Sequence, residues 1–428
     1  MKWRNQLLAL FCLFVFAGLG ILYFQHWVVQ KPFGIILFIG EGLAPGRLAA
    51  TRLYIGGADA HLAVDSMGHL ALITNHSKDF AVSDQAAAAT AMATGVKVNN
   101  RTIAMDANGK PLTSIIELAR QRGRATGLVT NGKLTDATCA AFYAHAGNPN
   151  NVDDIALQFV EGAKIDIALS GGAAVFLAEA KGGQRQDGRD LLLELRRSGS
   201  DVVRTRAELE AIPAWRRPKL LGVFGPAELA FANQLEEWTE QPSLSDMVRR
   251  TIELLQYNAR GYLLVVDAGL MRKAAESNSA ERTLGETAEL DRAISVARRY
   301  AGEKSTVVVC GDVGIGGLNL NGFPFRKDSG IALLGLNSAG QPWITWATGP
   351  NGTRSYGAVA KMPGAGSTAT PNENQESGLG NSEPAAFYTK SALNTVDDVV
   401  AFGTGPGTEA LHGCIDNTQI FKMIRDEL

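Results

Sequence analysis

Acidic residues end or follow the apolar runs of this chain. Glu41 closes "ILFIG", Asp267 closes "LLVV" and Asp312 follows "VVVCG", while Asp136 and Thr138 sit together in "LTDATCAAFYAH". Carboxylates gathered at one edge of a sheet are oxygen ligands suited to a hard cation. Taken singly, each has a plainer role, because Asp at a strand end commonly caps the next helix. A second feature is "VSDQAAAATAMATGVKVNN", residues 82–100. It has the form of a turn leading into a helix, where free N–H groups favour an anion. Gln85 occupies the place where a nucleophile is expected, and a delocalised carboxamide is not one.

These residues need strands to position them. "FGIILFIGEG" is a continuous apolar run ending in a Gly turn, the pattern of a strand buried on both faces. "ATGLVTN" reads as the next strand, and "GYLLVVDAG" and "STVVVCGD" as two more apolar strands, each ending in an Asp. "SIIELARQRGR" and "AERTLGETAELDRAISVARRY" are helical in period. Strands alternating with helices predict an α/β fold with a large, mostly parallel sheet, helices on both faces, and sites at the strands' carboxyl ends. Residues 351–385 are rich in Gly, Ser, Thr, Asn and Pro. They read as a flexible insertion, since "DDVVAFGTGPG" resumes core-like sequence after them. Residues 31–428 therefore read as one domain.

The 428 residues carry a formal net charge of −2 and are 46% hydrophobic, a globular composition with no basic stripe for nucleic acid. The 4 cysteines are scattered without a CxxC, so neither a disulfide framework nor a zinc cluster is suggested. At the N-terminus, Lys2 and Arg4 precede the apolar run "LLALFCLFVFAGLGILYF". Its length favours an uncleaved signal anchor over residues 1–30 rather than a cleaved signal peptide. Positive charge before the span places the main domain on the extracytoplasmic, periplasmic side, and Trp3, Tyr23 and Trp27 suit interfacial belts.

From about Phe33 to Leu428 the sequence resembles the alkaline phosphatase family. "ILFIGEGLA" is similar to the family's "ILFIGDGMG", and "SDQAAAATAMATGVKVNN" to its nucleophile segment "TDSAATATAMATGVKTNN". "GLVTNGKLTDATCAAFYAH", "YLLVVDAG", "VVVCGDVGIGG" and "VAFGTGPGTEALHGCIDNTQIF" follow in the family's order. The resemblance implies phosphomonoester hydrolysis by a serine at a helix tip, two zinc ions, a supporting magnesium and a phosphate-clamping arginine. It also allows a homodimer, although no residue pattern here decides that.

Position by position, the resemblance implies a depleted site. Gln85 aligns with the nucleophile and Pro149 with the clamping arginine. Ser83 lies on the strand side of Asp84 and is a poor substitute. In "VDAGLMRKAAE", Arg272 and Glu276 align with a zinc-binding Asp and His; Val313 and Asn394 align with two more histidines, while Asp312 is kept. The 6 histidines present fall elsewhere, His145 and His412 in blocks where the family has a His without metal duty. Zinc without imidazole or thiolate is weakly held. The magnesium ligands align with Glu41, Thr138 and Asp267, with Asp136 nearby, so one Mg²⁺ or Ca²⁺ is one expectation. Carboxylates hydrogen-bonded or protonated without a cation are the other. Arg272 is expected to pair with Asp312, Glu41 or Glu276.

The leading expectation is a membrane-anchored protein without the family's phosphatase activity, acting on an unknown ligand or protein partner or as a structural component. The alternative is a phosphomonoester hydrolase with a rearranged, single-metal site. The carboxylates oppose tight binding of a phosphate dianion unless a cation intervenes.

Overall fold

The structure, a computed structural model, describes residues 2–23, 33–216, 219–322, 327–328, 330–337, 340–353 and 383–428. Ten strands form the central sheet: β1 (Gly34–Gly40), β2 (His69–Thr74), β3 (Ala125–Lys133), β4 (Ile167–Gly171), β5 (Asp201–Val203), β6 (Leu220–Val223), β7 (Tyr262–Ala268), β8 (Thr306–Gly311), β15 (Val399–Thr404) and β16 (His412–Asp416). Their spatial order is β16-β2-β15-β8-β1-β7-β3-β4-β6-β5. Among the described residues there are six further strands: β9 (Gly314–Ile315) pairs with β14 (Asn394–Thr395), and β10 (Asn319–Leu320), β11 (Ile344–Gly349), β12 (Gly352–Thr353) and β13 (Ala385–Tyr388) form a four-stranded sheet.

The expected architecture is present, with one departure. β15 runs antiparallel to both of its neighbours, β2 and β8, so the sheet is mixed although mostly parallel. An apolar run does not record the direction in which it enters a sheet.

The runs are continuous because both faces of the sheet are covered. Ile35, Leu37 and Ile39 of β1 join one core with the helices Gln85–Thr94, Ile115–Gln121 and Thr418–Glu427. Ile36 and Phe38 point the other way, into a core shared with the helices Leu244–Leu255 and Ala280–Ala301. The alternation is the period-2 geometry of a strand. One helix start shows its sequence signal clearly. Ser114 accepts from the Glu117 N–H while the Glu117 side chain accepts from the Ser114 N–H, a reciprocal cap.

The N-terminal helix spans Lys2–Tyr23, with Leu7, Phe11 and Phe14 exposed to the surroundings. By length and composition, residues Trp3–Gly20 can cross a bilayer or serve as a signal sequence. Trp27 lies outside the described residues, as does most of the insertion expected over 351–385. The insertion's described flanks meet, since Gly352 and Thr353 pair with Ala385 and Phe387. Ala385, at its expected end, already belongs to β13.

Candidate functional site

The site forms where three adjacent strands end. Register places Ile39 beside Asp267 and beside Cys310, so Glu41, Asp267 and Asp312 stand at the same edge of the sheet, on β1, β7 and β8 or just after them. All three are buried. Thr130 of β3 lies opposite Asp267 and donates to its Oδ2 at 2.8 Å. Cys139 also reaches Asp267 Oδ2, at 3.5 Å. Glu41 is held on both oxygens: the Thr138 hydroxyl donates to Oε1, and Arg272 Nε donates to Oε2 at 2.6 Å.

Arg272 organises the charge. Its helix, Gly269–Glu276, begins directly after β7, which turns the guanidinium back over the sheet edge. It donates to Glu276 at 2.9 Å and lies 3.6 Å from Asp136. The expected pairing is therefore present with Glu41 and Glu276, with Asp136 as an additional partner. Asp312 instead accepts from the Gly42 N–H at 2.8 Å. Burial opposes the charge of Arg272, but Glu41, Glu276 and Asp136 together hold its pKa well above the ordinary arginine value.

Burial pushes the carboxyls the other way. The pKa of Glu41 is raised well above the ordinary range by desolvation, against the pull of Arg272. Burial raises Asp267 to about 7, with the Thr130 hydroxyl opposing, and raises Asp312 to about 6, with the Gly42 N–H opposing.

The helix tip carries Gln85 as the first residue of Gln85–Thr94, capped by Asp84, whose Oδ1 accepts from the Ala87 N–H at 2.9 Å. Gln85 Nε2 donates to Asn394 Oδ1 at 3.1 Å, and Asn394 Nδ2 donates to the Ser83 carbonyl at 2.9 Å. The Ser83 hydroxyl is turned to the Asp84 carbonyl at 3.0 Å. Val313 is fully buried, packed in a core with Ile315 and Trp346. Pro149 lies half-buried in a turn.

The donor set bears on metals. Three histidine rings bond away from the carboxylates: His69 with Thr408, His76 with the Ser77 carbonyl, and His145 with the Ala104 carbonyl. Among the described residues, no three His, Cys, Asp or Glu side chains converge as a ready cation site. Glu41 and Thr138 bond to each other, so these two expected ligands satisfy one another. Asp267 Oδ1 and Asp312 Oδ2, however, are buried without a hydrogen-bond partner. Such oxygens suit a hard cation that keeps several of its own waters, as Mg²⁺ does. Zinc fits this all-oxygen set less well.

Two arginines were not legible as site residues. Arg101 lies at the tip of the Gln85 helix, where its backbone N–H donates to Asp84 Oδ2 at 2.6 Å and its guanidinium to Asn148 at 3.1 Å. Arg47 is buried beside Glu41 and donates to the Glu41 carbonyl at 2.9 Å. An arginine early in a helix was the only sequence signal for Arg47. Nothing in the local sequence marks Arg101.

Known proteins share the chain's sequence pattern and overall fold. The alkaline phosphatase family model matches residues 34–428. The chain is 29% identical over 450 residues to the tissue-nonspecific alkaline phosphatase of Gallus gallus, covering 92% of this chain and 84% of that protein. It is 28% identical over 428 residues to alkaline phosphatase 4 of Bacillus subtilis (strain 168), covering 91% and 88%. The structure is similar to that of Thermus thermophilus alkaline phosphatase, with a TM-score of 0.73 at 22% identity over 94% of this chain and 92% of that one. It is likewise similar to the alkaline phosphatase of the Antarctic bacterium TAB5, with a TM-score of 0.69 at 21% identity over 93% and 98%. With the family model matching from the start of β1 to the C-terminus, the chain belongs to the alkaline phosphatase family.

Proposed function

We propose that this protein is a membrane-anchored member of the family that does not hydrolyse phosphomonoesters by the family's serine and two-zinc route. It acts instead as a binding or structural component outside the cytoplasm. The observation that carries this reading is Gln85 at the helix tip, its carboxamide bonded to Asn394. A carboxamide forms no phosphoenzyme, and Ser83 is buried with its hydroxyl engaged elsewhere. Arg272 adds to the argument. The resemblance places a zinc-binding Asp at its position, yet here a guanidinium meets Glu41 and Glu276. One hard cation, Mg²⁺ rather than Zn²⁺, would be held through Asp267 and Asp312. A TAB5 alkaline phosphatase variant has a structure with Mg bound, which accords with a magnesium-type site in this fold.

A second reading has its own observation. The partnerless oxygens of Asp267 and Asp312, with Arg101 near the helix tip, are compatible with a single-metal phosphomonoesterase that activates water instead of a side chain. The deciding experiment is a p-nitrophenyl phosphate assay on the purified full chain with added Zn²⁺ and Mg²⁺, alongside metal analysis. Background rates in every metal condition support the non-hydrolytic reading. Saturable, metal-dependent turnover establishes the second.

A further inference from the structure

Arg47 is 3% exposed, yet no carboxylate lies within ion-pair distance of it among the described residues. Among the described residues its guanidinium makes one hydrogen bond, from Nη1 to the Glu41 carbonyl at 2.9 Å, which leaves most of the donors of the fork unused there. Burial brings its pKa down to about 10, with Asp312 opposing, so it stays cationic at neutral pH. Asp312 supports this charge from nearby without forming an ion pair with it, and a buried cation so incompletely compensated is costly unless something else supplies negative charge.

Arg47 faces a cavity of about 550 Å³, a volume in the range of small-molecule sites. A second feature of the same wall points to an anion. The helix Pro45–Gly56 starts here, and its N-cap residue, Ala44, provides no side-chain acceptor. Pro45 and Gly46 both line the cavity, so the positive end of a 12-residue helix opens onto it beside Arg47. Another wall has the opposite sign. Asp397 and Asp398 line the same cavity and are exposed; Asp397 accepts from the Thr395 hydroxyl at 2.6 Å. An anion alone would meet these two carboxylates unfavourably, and a cation alone would meet Arg47. Neither Gln85 nor Arg272 lines this space.

We propose that this cavity binds a small zwitterion, its oxyanion held by Arg47 and the start of the Pro45–Gly56 helix and its ammonium group held by Asp397 and Asp398. An aminoalkyl phosphate and an amino carboxylate share this chemistry. The inference deepens the reading of the protein as a binding component, but it does not depend on the chain being inactive toward phosphomonoesters.

The test is calorimetric titration of the full chain in detergent with four probes: 2-aminoethyl phosphate, 4-aminobutanoate, inorganic phosphate and ethylamine. At least one zwitterion is expected to bind tenfold or more tightly than either single-charge probe, and the better of the two identifies the oxyanion. Arg47→Met should weaken that binding at least tenfold. Arg47→Met removes a buried group and risks the fold, so the exposed pair Asp397→Asn/Asp398→Asn provides the second variant. There the zwitterion should lose its advantage over the matching single-charge anion. Absence of saturable zwitterion binding, or unchanged zwitterion binding in the Asp397→Asn/Asp398→Asn protein, overturns the proposal. Its failure is distinct from failure of the non-hydrolytic reading, which is read by phosphomonoester turnover.

Discussion

Arg272 Nε lies 2.6 Å from Glu41 Oε2, joining residues 231 positions apart at the meeting of β1 and β7. Each side chain would be costly to bury alone, since an unpartnered buried charge typically destabilises by about 3–5 kcal/mol. Arg272→Ala should lower unfolding free energy by about 3 kcal/mol in denaturant titration. Glu41 can take up a proton and soften the loss, so the upper end of that range is not expected. Arg272→Ala/Glu41→Gln should be less damaging than the sum of the single changes, because the residues share one interaction. Strict additivity would show that the contact contributes little.

Gln85→Ser alone should leave phosphomonoester hydrolysis at background. A serine hydroxyl needs a base or a metal to become nucleophilic, and the side chain at this position meets the Asn394 amide, which is neither. The same change breaks the link to Asn394 and should cost about 0.5–1.5 kcal/mol in thermal or denaturant unfolding. Activity rising well above background in Gln85→Ser would show that an activating group is present after all.

Mg²⁺ should raise the melting temperature by about 2 °C or more at millimolar concentration, since binding to the folded state stabilises it by mass action. The rise should be larger at pH 8 than at pH 5.5, because the cation competes with protons on Asp267 and Asp312, whose pKa values burial raises to about 7 and about 6. Asp267→Asn/Asp312→Asn should abolish it. Melting that ignores both EDTA and added Mg²⁺ would count against a cation at these oxygens.

Glu286 offers a pH test away from the site. It accepts from the Ala232 N–H and from Asn131 Nδ2, and burial raises its pKa to about 8. Between an unfolded pKa of about 4.3 and this folded value, the folded protein binds the extra proton. Its contribution to stability is therefore fully present below the unfolded pKa and lost as pH rises through the folded one. Glu286→Gln should flatten that decline. It should be no more stable than wild type at pH 5 and more stable at pH 8.5 by at least about 1 kcal/mol, a tenfold change in proton affinity being worth about 1.4 kcal/mol. Parallel pH profiles of the two proteins would contradict the assignment.

Much of the fold was legible because its signals are local. Burial on both faces makes β1, β7 and β8 read as apolar runs, and the residues that end or follow those runs name Glu41, Asp267 and Asp312. The helix Ala280–Ala301 follows its period to within one residue of the expected end. The antiparallel entry of β15 was not legible, because strand direction is set by the path of the connection rather than by the residues of the strand.

The site divides in the same way. The sequence alone determined which residue types stand at the strand ends and at the helix tip, since those places follow from hydrophobic period and from Gly turns. The resemblance to the family then assigned each position a role. Tertiary structure decided the partners. Thr130 meets Asp267 through the register of β3 against β7. Gln85 meets Asn394 across 309 positions. Arg47 faces a cavity closed by residues near 315 and 397. These contacts join segments far apart in the chain, and a side chain's partner depends on register and packing that no local pattern encodes.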